Sequence, residues 1–108
     1  MDESAGHRHE RLQELILEEL RGLFRDDVSD PALVSVWIAA LVLSVDYRHA
    51  RVHYTVRVDA GEELRYVEAR LLRATPFLRA RVGEALDLKR VPDLTFVLDP
   101  ARPSGEQA

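Results

Sequence analysis

A chain of 108 residues that is 46% hydrophobic has material for one compact domain and too little for two. It contains no cysteine, which excludes disulfides and thiolate metal sites, and no apolar run approaches the roughly 20 residues of a membrane span. The net charge of −4 argues against indiscriminate binding to polyanions, yet it hides an asymmetry: residues 65–90 hold seven basic side chains against three acidic ones, a local excess of four positive charges.

The start, MDESAGHRHER, is polar and lacks the apolar core of a signal peptide, so a cytoplasmic location is expected, with residues 1–7 flexible. Over residues 9–25, Leu12, Leu15, Ile16, Leu20, Leu23 and Phe24 fall at the three-and-four spacing of an amphipathic helix. The segment DDVSDPALVS ends it, because Pro31 disfavours helical backbone at Asp30.

Residues 34–43 read VSVWIAALVL, the β-branched and large apolar pattern of a strand. This strand is apolar in two phases: Val36 and Ile38 in one, Leu41 and Leu43 in the other. A bulge near Ala39 and Ala40 brings both pairs inward and leaves Trp37 and Val42 outside. Residues 50–58 alternate strictly, with Ala50, Val52, Tyr54, Val56 and Val58 facing in and Arg51, His53, Thr55 and Arg57 facing water. The short turn between the strands requires an antiparallel hairpin, in which Asp46 and His49 read as turn and strand-start residues and not as an acid–base pair.

After Ala60 and Gly61, Glu62 and Glu63 form the acidic first turn of a second helix reaching Arg73. Thr75 then reads as an N-cap and Pro76 as the first residue of a third helix ending near Leu86. Gly83, inside that helix, points to close packing against a strand or RNA. Residues 91–99 form a third strand with Leu94, Phe96 and Leu98 inward, and residues 100–108 read as a disordered tail. The order is α-β-β-α-α-β, an α+β two-layer arrangement with helices on one face of a three-stranded sheet.

A kink at Ala74 and Thr75 would expose N-terminal amides beside Arg70, Arg73, Arg79, Arg81, Lys89 and Arg90, a combination suited to phosphate; the alternative is an ordinary helix corner whose arginines are solvated. Trp37, with Arg51, His53 and Arg57 around it, reads either as a secondary stacking or protein-contact patch or as a tryptophan partly covered by the C-terminal tail. His7 and His9, with Glu3 and Glu10, are too loosely placed to read as a metal site. No metal or cofactor is expected.

Four segments in order, DPAL (30–33), LSVDYRHARVHYTV (43–56), ATPFLRARVGEALDLKRVP (74–92) and PDLTFVLD (92–99), resemble the ribosome-binding factor A family over residues 8–99. The resemblance implies a single type II K-homology-like domain, with the third strand beside and parallel to the first. It also implies a kinked helix–helix unit in place of the GxxG loop by which most K-homology domains clamp a nucleic-acid backbone. The family's kink is usually alanine, any residue, glycine; Ala74-Thr75-Pro76 departs from it, since proline forbids positive φ and removes an amide donor.

The resemblance further implies a non-catalytic factor in ribosome biogenesis, and the short length and one wet sheet face lead to the expectation of a monomer, with an exposed Trp37 leaving room for a dimer. Such a factor binds the 30S subunit through 16S rRNA, assists late maturation and 16S rRNA 5′-end processing, and serves cold adaptation. The alternative is a K-homology-like protein-interaction module that has lost RNA binding, a reading consistent with the acidic balance and Pro76.

Overall fold

In a computed structural model, which describes residues 3–56 and 63–99, the chain runs α1 (Glu3–Asp26), a 3-10 turn (Pro31–Leu33), β1 (Val36–Leu43), β2 (His49–Val56), α2 (Glu63–Leu86) and β3 (Asp93–Leu98). Helix α1 begins at Glu3 and not near His9, so residues 3–7 of the segment expected to be flexible are helical. The tail at 100–108 and Arg57 lie outside the described residues.

The bulge in β1 falls where the two apolar phases require it. The register with β2 shifts between Ile38 and Ala40, which turns Val36, Ile38, Leu41 and Leu43 all inward and leaves Trp37 and Val42 each 53% exposed. These residues meet Ile16, Leu20 and Leu23 of α1 and Val67, Leu71, Leu78 and Val82 of α2 in one core, closed by Ala50, Val52, Tyr54 and Leu94. Phe96 and Leu98 pack at its margin, as the inward phase of β3 predicts.

Two expectations about topology are corrected. The sheet order is β1-β2-β3, so β3 lies parallel to β2 and not beside β1. Side chains of α1 already occupy the outer edge of β1. Arg21 donates to the carbonyls of Ile38 (2.9 Å) and Ala39 (3.1 Å), Gln13 Oε1 accepts from the Leu43 N–H (2.9 Å), and His9 Nε2 lies 3.0 Å from the Leu43 carbonyl oxygen. With that edge covered, α2 serves as the crossover that returns the chain to the free side of β2.

The second correction is that α2 is one helix running through Pro76, where two were expected. Thr75 is not an N-cap: its hydroxyl donates backwards to the Leu71 carbonyl at 2.8 Å, an i to i−4 bond of a helix interior. Pro76 deprives the carbonyl of Leu72 of its usual donor, but Leu72 is 74% exposed, on a side of the helix where water reaches. Burial of Val67 and Leu71 before the proline and of Leu78 and Val82 after it holds both halves to the same sheet face.

Helix α2 ends in a Schellman motif with Asp87 at φ 54°, where the Leu88 N–H reaches the Gly83 carbonyl (3.0 Å) and the Asp87 N–H that of Glu84 (3.3 Å). Gly83 is explained by packing within the fold: a Cβ there would stand 2.7 Å from Cγ2 of Val91, in the segment leading into β3. A third correction concerns Thr55, expected on the wet face but only 4% exposed; Trp37 stands directly opposite it in the antiparallel pair and sets a large ring alongside a small side chain.

Candidate nucleic-acid interface

Of the seven basic residues of 65–90, Arg65 is exposed at the start of α2, and the six from Arg70 to Arg90 separate into three groups. Arg70 and Arg81 turn to the loop after α1, where Arg70 Nε meets Asp30 Oδ2 and Arg81 Nη2 meets Asp27 Oδ2, each at 2.7 Å. The charge of both is compensated. Asp30 also caps the 3-10 turn by accepting from the Ala32 N–H (3.0 Å). That bond first, and the Arg70 guanidinium second, hold its carboxyl below the usual carboxylate range.

Arg79 lies on the opposite flank. It donates to the carbonyls of Val91 (2.7 Å) and Pro92 (3.0 Å) and stands 3.8 Å from the Asp93 carboxylate. Its work is to tie α2 to the segment entering β3. Arg73, Lys89 and Arg90 form the third group: all are exposed, and none has an ion pair among the described residues. Ala74 packs against the core and Thr75 spends its hydroxyl on Leu71, so neither presents a free donor at the helix surface.

Two features were missed in sequence. Tyr66 (55% exposed) and Phe77 (44% exposed) each lie one helical turn before an arginine, with the Arg70 guanidinium 5.7 Å from the Tyr66 ring and that of Arg81 5.6 Å from the Phe77 ring. The i, i+4 spacing was visible; that both aromatics are exposed was not. The second feature is a meeting of loops. The Asp93 N–H donates to the Arg48 carbonyl (2.9 Å) and the Asp93 carboxylate lies 3.9 Å from His49 Nδ1, which sets Arg48 and His49 at the sheet end where Arg79 is anchored.

Asp46 behaves as a turn former, accepting from Ser44 Oγ (2.7 Å) and the Arg48 N–H (3.1 Å), two bonds that lower its pKa in that order of importance. On the outer sheet face, Trp37, Arg51 and His53 share one surface, as their alternation implies, with Arg51 exposed and His53 half-buried. Among the described residues there is no group of three or more metal-ligating side chains, and no helix is long and apolar enough to cross a membrane.

The sequence model of the family described as ribosome-binding factor A matches residues 8–107. The chain belongs to the ribosome-binding factor A family. It is 41% identical to ribosome-binding factor A of Heliobacterium modesticaldum over 95 residues, 88% of this chain and 78% of that one. With the protein of that name from Ruthia magnifica it shares 38% identity over 105 residues, 97% and 91% of the two chains.

The fold is similar to the crystal structure of ribosome-binding factor A from Thermus thermophilus, with a TM-score of 0.57, 25% identity and 86% and 93% of the chains covered. It is also similar to a homology model of the Thermus thermophilus factor fitted into an electron cryomicroscopy map of its complex with 30S, with a TM-score of 0.61, 25% identity and coverage of 91% and 98%. Ribosome-binding factor A chains thus share with this one the α+β arrangement of a three-stranded sheet and two helices.

Proposed function

We propose that the protein binds the 30S ribosomal subunit through 16S rRNA and assists late maturation of the particle, including 16S rRNA 5′-end processing, without catalysing a reaction itself. The observation that carries this reading is the family membership over residues 8–107, together with the Thermus thermophilus relative whose fitted model belongs to a 30S complex. Residues 8–99 are the binding domain. Cytoplasmic location, a role at low temperature and a monomeric state follow from the same reading.

The ion pairs favour a narrower set of cations for the phosphate contacts. Arg73, Lys89 and Arg90 are exposed and uncompensated, so they make the contacts, while Arg70, Arg79 and Arg81 hold α2 in place through Asp30, Asp27 and the 91–92 carbonyls. A triple variant, Arg73→Glu with Lys89→Glu and Arg90→Glu, tests this without touching a structural ion pair. Wild-type protein should co-sediment with 30S particles and not with 70S, and the variant should remain in the supernatant with an unchanged melting temperature.

A second reading has its own support. Exposed Tyr66 and Phe77 beside arginines that are already neutralised resemble a protein-contact surface more than a phosphate site. Wild-type protein that ignored mature and immature 30S particles alike would favour it.

A further inference from the structure

Both helices lie on one side of the sheet, and the residues that point to the other side gather into a surface centred on Trp37. Three observations there go beyond an ordinary wet face. Trp37 is 53% exposed, and the Arg21 guanidinium stands 4.8 Å from its ring centroid, fixed by bonds to the Ile38 and Ala39 carbonyls. Those two bonds leave the remaining N–H groups of Arg21 available to a ligand. Directly opposite Trp37, Thr55 is 4% exposed, yet its hydroxyl has no hydrogen-bond partner among the described residues. A hydroxyl buried without a partner at such depth is destabilising.

The third observation is charge. Arg70 and Arg81 on α2 are neutralised by aspartates, whereas neither Arg21 nor Arg51 has an ion pair among the described residues. Arg51 pairs across the sheet with Val42 and Thr95, about 13 Å along the strands from Trp37 at ~3.3 Å per residue. That distance is roughly four steps of a stacked strand at ~3.4 Å each.

We infer that this bare sheet face binds a short unpaired RNA strand, with one base stacked on Trp37 and the backbone running past His53 to Arg51. Stacking on an exposed indole tolerates any base, and uncompensated cations at its edge and along the strand supply attraction for phosphate. A protein partner fits less well, because Arg51, His53 and Thr95 interrupt the apolar side chains between Trp37 and the far edge. The inference rests on the ribosomal reading only for where the RNA comes from.

Trp37 is the chain's one tryptophan, so emission of the full-length protein excited beyond the tyrosine band reports on this face alone. Titration at low salt with a single-stranded RNA of about 12 nucleotides should quench it saturably. Anisotropy of the labelled RNA should show binding weakened about tenfold by Arg51→Glu and by Trp37→Ala, with most of the loss restored in Trp37→Phe. A duplex of the same sequence should leave the emission unchanged.

RNA that binds without quenching, no binding at all, or equal binding by wild type and Arg51→Glu would each overturn the inference. Emission that changed only with protein concentration would do so too, and would give the face to a second copy. The triple Glu variant on α2 and the loop after it should keep the quenching. Quenching that persists in a protein unable to bind 30S would reject the proposed function while leaving the sheet face as an RNA site.

Discussion

One carboxylate, that of Asp30, joins two parts of the molecule: it caps the 3-10 turn through the Ala32 N–H and receives Arg70 from α2 at 2.7 Å. Both bonds favour the ionised form, and its folded pKa lies below the unfolded value. A depressed carboxyl pKa contributes stability that is fully present above the unfolded pKa and is lost as pH falls through the folded one. Asp30→Asn should therefore melt below wild type at pH 7, and the gap should close under about pH 4 as wild-type Asp30 takes up its proton. Thermal melts of the two proteins across that range decide the matter; a gap that stayed constant down to strongly acidic pH would mean that shape, and not charge, holds the turn to α2.

At the scale of elements, the hairpin was legible to the position of its bulge, because two apolar phases in one strand can be buried together only if the register slips between them. The helical break was misread for an equally physical reason. Thr-Pro is a good helix start when considered alone, and what overrides it is the tertiary burial of Val67, Leu71, Leu78 and Val82 on one stripe, which local sequence does not weigh against the proline. The neighbour of β3 was illegible too, since it depends on His9, Gln13 and Arg21 reaching across to the edge of β1. The ion pairs of Arg70 and Arg81 link residues 40 and 54 positions apart, so their loss from the free basic set was equally hidden. Continuous helix through Pro76 predicts that Pro76→Ala restores a bond to the Leu72 carbonyl and raises stability by about 1–3 kcal/mol in urea unfolding. Were Pro76 the first residue of a separate helix, the same change would be neutral or slightly destabilising.

For the whole molecule, the question is how much of the positive segment acts at a distance from its own carboxylates. Sequence alone offers six of the segment's seven basic residues as contacts on the proposed binding face. The structure removes Arg70 and Arg81 by pairing them and commits Arg79 to carbonyls beside Asp93, leaving Arg73, Lys89 and Arg90. Counterion release turns that difference into a slope, because each neutralised phosphate contributes about 0.7 for a single strand and about 0.9 for a duplex to the fall of log affinity with log salt. Three contacts give a slope between about −2 and −3, and six give about −4 to −5. Affinity for 30S particles measured over a salt series should follow the shallower line, and any residual binding of the triple Glu variant at low salt should show little slope. A steep slope that survived in the variant would place the main phosphate contacts elsewhere, with the uncompensated Arg21 and Arg51 on the sheet face as the next cations to substitute.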